Sequence, residues 1–128
     1  MIRVDRIDLS IELQKDLDVW QGNSNSGLAN KSWKDYSRIA NYKTLKALLK
    51  SMCAGKCCYC ESLGASHVDH YLPKSPHRDN ANKGSTEYAF LWSNLLLSCM
   101  KCNSFEVKGA RMKWSDDGIP LLLNPTNP

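Results

Sequence analysis

"CCYCESLGASHVDHYLPKS", residues 57–75, packs two kinds of chemistry into one short stretch. It opens on a C-x-x-C pair, Cys57 and Cys60, and the same spacing returns in "CMKC" as Cys99 and Cys102. Two such pairs supply four thiolates, the donor set of a closed tetrahedral zinc site. A disulfide pair or a redox C-x-x-C is the competing reading. Positions 61–98 separate the pairs, more than a compact zinc ribbon needs, so the zinc would clamp the two ends of an inserted unit. Cys53 and Cys58 are left over and read as small buried hydrophobes rather than ligands. The second half of the stretch reads as a strand, with Val68, Tyr71 and Leu72 suited to a pleated sheet and Pro73 ending the pairing. Asp69 and His70 sit side by side inside it, where a purely structural strand gains nothing from either.

Outward from this stretch, "SNLLLSC" (93–99) reads as a second short strand that runs into the second cysteine pair. Between the strands lies the charged, turn-rich loop "KSPHRDNANKGS", and "TEYAFLW" is expected to make a helical turn. "CNSFEVKGARMK" is expected to begin a helix, with Asn103 or Ser104 at its cap. Upstream, Ser10 is a plausible N-cap for a helix to about Trp20, with Leu13 and Leu17 four apart. "QGNSNSGLANKS" reads as a polar loop. A longer helix is expected from about Trp33 to Cys53, its apolar stripe made by Tyr36, Ile39, Ala40, Leu45, Leu48, Leu49 and Met52, with Gly55 as its stop. That stripe is ordinary core packing. "MIRVDRIDL" alternates apolar and charged residues, as a short strand or an extended arm would.

At 128 residues the chain is one domain, long enough to bury a core without covalent staples. Its charged fraction of 23% and hydrophobic fraction of 42% exclude a disordered chain, and the net charge of +4 leans towards anionic partners. The longest apolar run, "AFLW", is far too short to span a membrane. The charged N-terminus has no apolar core of a secretory signal, so a reducing, cytoplasmic compartment is the expectation.

Three stretches, "CCYCE", "VDHYLPKS" and "WSNLLLSCMKCNSFEVK", resemble the zinc-knuckle subclass of the HNH endonucleases, whose shared core is the ββα-metal motif. The helix leading into "GKCCYCE" and the trailing "LLLNPTNP" look more particularly like the PtuB-type HNH proteins of Septu and retron antiphage systems. The resemblance implies that His70 is the general base and that Asp69 and Asn103 are ligands of a catalytic magnesium or manganese. It further implies that Asn94 ties the loop between the strands, and that an ATPase of PtuA type is a partner. Position 61, a glutamate after the first knuckle, also fits the PtuB-like pattern and has a local cap or pair as its plainer role.

The chemistry supports those assignments independently of kinship. Phosphodiester hydrolysis needs a water deprotonated in line with the leaving oxygen, and histidine is the side chain suited to that near neutrality. It also needs charge neutralised on the phosphate, a task for a hard cation held by one or two protein oxygens with open positions. Strict strand alternation would aim Asp69 and His70 at opposite faces, so both can serve one phosphate only if the strand is irregular or ends there. Taken singly, each residue has a bland reading: a satisfied histidine, an orienting aspartate, a helix-capping Asn103, a turn Asn94. Their joint occurrence in order, at the margins of the cysteine pairs, favours catalysis. His67 and His77 have no such role and read as surface residues. Lys74, Arg78, Lys101, Lys108, Arg111 and Lys113 are candidate phosphate contacts, with a solvated face as their plainer reading.

The expected architecture is α+β: a helical part over 1–55, a zinc-stapled ββα-metal core over 56–113 and a tail over 114–128. The expected activity is metal-dependent cleavage of DNA, with RNA as the alternative target. The competing reading is a non-catalytic four-cysteine zinc module that binds nucleic acid or a partner protein.

Overall fold

A computed structural model describes residues 4–25, 33–72 and 88–103. Helix α1 spans Ile11–Asn25. Ser10 starts it as expected: its hydroxyl accepts the N–H of Leu13 at 3.2 Å, and its carbonyl accepts that of Gln14 at 3.0 Å. Leu13 and Leu17 form the buried side. The helix does not end near Trp20. It continues through Gln21–Asn25, residues the sequence reading gave to a loop. Tertiary contacts explain the extension: Trp20 stacks on Phe90 at 5.8 Å, and Gln21 Oε1 accepts the Phe90 N–H at 2.9 Å. Gln21 also donates to Asn25 Oδ1 at 2.8 Å, closing the added turn.

The single helix expected over 33–53 is two helices, α2 (Trp33–Tyr36) and α3 (Ala40–Met52). Between them Ile39 is extended, at φ −95 and ψ 162. The turn is tight, with the Arg38 and Ile39 N–H groups donating to the Asp35 and Tyr36 carbonyls, three residues back, at 3.1 Å each. The break lets aromatic rings from both sides of it converge. Trp33 lies 5.9 Å and Tyr36 6.1 Å from the Tyr42 ring, and both also meet Phe90. A continuous helix would have set Tyr42, nine residues on, on the face opposite Trp33. Leu45 and Leu49 of α3 are buried and the helix packs against the sheet, whereas Ala40 is exposed and no part of the stripe. Gly55, at φ +71, closes the helix by donating to the Lys50 carbonyl at 2.9 Å.

Strands β1 (His67–His70) and β2 (Leu95–Ser98) form an antiparallel pair inside the two stretches expected to be strands. However, β1 ends before Tyr71 and Leu72, and β2 begins after Ser93 and Asn94. The register sets Val68 against Leu97, Asp69 against Leu96 and His70 against Leu95. All four residues of β2 are buried, so both faces of this small sheet are covered. A 3-10 turn, Trp92–Asn94, leads into β2. Residues 4–10 form an extended arm rather than a strand, and the arm grips that turn. Arg6 donates to the carbonyls of Trp92, Ser93 and Leu95 at 2.6, 3.2 and 3.0 Å, while its guanidinium lies 5.2 Å from the Trp92 ring centre. Trp92 Nε1 returns a bond of 2.7 Å to the Ile7 carbonyl. One arginine thus satisfies the backbone acceptors that a sheet partner would otherwise take.

The described residues are therefore a helical part, a two-stranded sheet and the cysteine-bearing turns beside it. The helix expected after Asn103 and the tail over 114–128 lie outside the described residues. No helix among the described residues is long and apolar enough to cross a membrane.

Candidate metal centre and the Asp69–His70 site

Two tight turns bring the cysteine pairs together. In the first, the Lys56–Leu63 bridge closes a small loop in which the Cys57 N–H donates to the Ser62 carbonyl at 2.9 Å. Glu61 donates back to the Cys57 carbonyl at 2.9 Å, at a φ of 65 that few side chains adopt. In the second, Asn103 donates to the Cys99 carbonyl at 3.0 Å. Each turn also aims a backbone N–H at a sulfur: Tyr59 at Cys57 Sγ and Cys102 at Cys99 Sγ, both at 3.4 Å.

The sulfurs of Cys57, Cys60, Cys99 and Cys102 all lie within 4.8 Å of one another. Cys60 and Cys99 are 3.7 Å apart, and all six cysteines are free thiols. Four ligands at about 2.3 Å from a tetrahedral zinc would be separated by about 3.8 Å, so the set fits that ion. The Ser62 hydroxyl, 3.1 Å from Cys60 Sγ, is the main cause of a Cys60 thiol lowered to about 6. The Cys102 N–H lowers Cys99 as well, whereas burial pushes Cys102 up. Cys53 and Cys58 lie outside this cluster, both buried, with their sulfurs 2.8 Å apart. Cys58 is tied to β2 by a 2.9 Å bond from its N–H to the Leu97 carbonyl.

Asp69 and His70, only 4% and 6% exposed, follow each other at the end of β1 and reach different neighbours. Asp69 Oδ2 accepts the hydroxyl of Tyr59 at 2.7 Å, so it leans on the first cysteine turn. Burial, then the Asp69 charge, raises the Tyr59 hydroxyl well above its ordinary range, which keeps it a donor. His70 turns to the aromatic side. Its ring meets Trp33 edge-on at 4.5 Å, and Nε2 lies 2.9 Å from the Ala89 carbonyl. A carbonyl only accepts, so Nε2 carries a proton, and in the neutral form of the ring Nδ1 is the basic nitrogen.

Asn94 holds the peptide next to the one whose carbonyl meets His70. Its side-chain amide donates to the Tyr88 carbonyl at 3.0 Å and to the Leu72 carbonyl at 3.1 Å. Its Oδ1 accepts the Leu72 N–H at 2.7 Å, and its own carbonyl accepts the Tyr71 N–H at 2.9 Å. The two ends of the loop between the strands are therefore pinned by one side chain, beside the acceptor for His70.

Asn103 is exposed, one residue past Cys102, with its N–H on Cys99. Lys101 is exposed on the second turn, while Lys74, Arg78, Lys108, Arg111, Lys113 and His77 lie outside the described residues. His67, expected at the surface, is half-buried opposite Ser98. Sequence reasoning missed Tyr59, Trp33 and Ala89. Tyr59 could have been noticed, being set inside the first C-x-x-C, whereas Ala89 acts through a carbonyl that every residue type carries.

The chain is 37% identical over 103 residues to Septu protein PtuB of Bacillus mycoides (strain KBAB4), a match covering 65% of this chain and 35% of that protein. It thus spans about a third of the length of the curated relative it matches. No family model and no solved structure matches it.

Proposed function

We propose that this chain is a metal-dependent endonuclease of HNH type, hydrolysing phosphodiester bonds in DNA as one component of an antiphage system of the Septu kind. Its likeness to Septu protein PtuB supports the setting. The observation that carries the chemistry is the bond from His70 Nε2 to the Ala89 carbonyl, beside the loop ends that Asn94 pins. It fixes the tautomer and ring direction a general base requires, because a mobile imidazole would lose the in-line geometry.

In this reading His70 Nδ1 takes a proton from the attacking water, whose oxygen forms the new bond to phosphorus. The P–O bond to the leaving sugar oxygen breaks, and that oxygen takes its electron pair and a proton from solvent. Asp69 and Asn103 are oxygen donors suited to a magnesium or manganese ion, which when bound neutralises charge on the phosphate and the departing oxygen. The four thiolates are a closed donor set, suited to a structural zinc and not to catalysis. Lys101 and the cations beyond the described residues are proposed phosphate contacts. An ATPase of PtuA type is the proposed partner.

Plasmid nicking by the purified chain tests this, with magnesium, manganese or EDTA, with and without the ATPase, against a His70→Ala control. Cleavage that persists in EDTA, or is as fast in His70→Ala, would sink the reading. One observation favours the rival, a zinc module that binds without cutting: Asp69 and His70 are both buried and internally hydrogen-bonded. DNA binding without any metal-dependent cleavage, partner present, would decide for that rival.

A further inference from the structure

Tyr59 belongs to two sites at once. Its backbone N–H donates to the sulfur of Cys57, and its hydroxyl donates to Oδ2 of Asp69 at 2.7 Å. It sits within the first cysteine turn, between two of the four thiolates. Asp69 is therefore oriented from the zinc cluster as well as by its own strand. Asn103 has a similar dependence, since its N–H is bonded to the carbonyl of Cys99 in the second turn. Both oxygen donors assigned above to the catalytic cation thus hang from the two turns whose sulfurs meet within 4.8 Å.

We infer that Tyr59 is a positioning residue that orients the Asp69 carboxylate for a divalent cation and transmits to it the geometry of the four-cysteine site. The inference rests on the reading of Asp69 as a ligand of that cation. A buried carboxylate can rotate about its terminal torsion, and a ligand that must first be ordered binds with lower affinity. A phenol hydroxyl has one proton to give, and the carboxylate can only accept it, so the bond selects one carboxylate orientation. A groove-filling aromatic would need no hydroxyl here, and phenylalanine keeps the ring while deleting only the donor. Partners that orient a metal ligand typically account for roughly 10–100-fold in metal affinity.

The experiment is manganese binding to the zinc-loaded 128-residue chain, followed by loss of the free-ion electron paramagnetic resonance signal. Wild type, Tyr59→Phe and Asp69→Ala are compared, with zinc content and melting temperature measured on each. The expected result for Tyr59→Phe is one retained zinc, a retained cooperative melting transition and a manganese Kd raised roughly 10–100-fold. Any cleavage it shows should recover towards the wild-type rate as the cation is raised, because the ligand itself is intact. Wild-type manganese affinity in Tyr59→Phe would overturn the inference. So would loss of zinc or of the cooperative melting transition, which would make the hydroxyl a part of the turn's own fold. If Asp69→Ala binds manganese as tightly as wild type, the cation site itself is wrong and both readings fall. If Asp69→Ala loses the ion and Tyr59→Phe keeps it, only the role of Tyr59 falls.

Discussion

The four-cysteine cluster and the Asp69–His70 site lie beside each other and are built on opposite principles. The ligand atoms of the cluster all come from side chains. Four sulfurs from two turns of one spacing meet at a point, and two of them, on Cys60 and Cys99, belong to residues that are not buried. The other site is held mostly by backbone. The His70 ring is set by the Ala89 carbonyl, and Asn94 binds the peptides of Leu72 and Tyr88. All three polar residues, Asp69, His70 and Asn94, are buried. A metal cluster tolerates exposure because the ion supplies the free energy, whereas a carbonyl-oriented imidazole needs the surrounding packing to hold its acceptor still.

The largest test of that contrast is removal of one sulfur. Structural zinc contributes on the order of 10–16 kcal/mol, as much as a whole domain's stability. Cys57→Ser or Cys99→Ser should lose zinc by elemental analysis and leave no cooperative melting transition. A stable, zinc-free variant would show that the cluster is incidental to the fold.

Acid removes the same ion reversibly. Thiolate is the binding form, so protons compete with zinc and affinity falls with pH. The fold lowers Cys60 to about 6, so its contribution is complete above the ordinary thiol range and is lost as pH falls through that value. Zinc release to a chromogenic chelator should therefore steepen below about pH 6. Release that is flat down to strongly acid pH would break the link to thiolate protonation.

On the other side of the comparison, His70→Ala should keep its zinc yet lose roughly 10²–10⁴-fold in cleavage rate, about 3–5 kcal/mol. Asn94→Ala strips partners from the Leu72 and Tyr88 peptides, and each buried group left unpaired costs about 1–3 kcal/mol. It should lower the melting temperature and the rate together while the zinc stays. A zinc-depleted Asn94→Ala would mean that the two regions fold as one unit.

The smallest effect belongs to the cysteines outside the cluster. Cys53→Ser and Cys58→Ser should each retain one equivalent of zinc and lose about 1–3 kcal/mol of stability, the cost of a hydroxyl in an apolar site. Loss of metal from Cys58→Ser at intact fold would mean that Cys58, not Cys57, completes the set.

The parts legible in the sequence are those whose physics is local. Cysteine spacing announced the cluster, because two ligands from one tight turn must be about that far apart. Ser10 announced the start of α1 and Gly55 the end of α3, because caps depend on neighbouring backbone. Val68 and the leucines of Leu95 to Ser98 announced the strands, although β1 stops at His70, short of Tyr71 and Leu72. Helix continuity was less visible. Gln21–Asn25 is helical because Trp20 and Gln21 bind Phe90, some 69 positions away for the Gln21 bond. The break at Ile39 exists because Trp33, Tyr36 and Tyr42 converge on one aromatic cluster.

What this sequence determined by itself was therefore an inventory with addresses: four sulfurs in two pairs, two short strands, and an acid and an imidazole in the first of them. Only the tertiary structure decided what those groups touch. It set Arg6 on the carbonyls before β2, Tyr59 on Asp69 and Ala89 on His70. The physical reason is that a side-chain ligand is written in residue identity, while a carbonyl acceptor is common to all residues. Which carbonyl arrives is settled by packing between segments far apart in the chain.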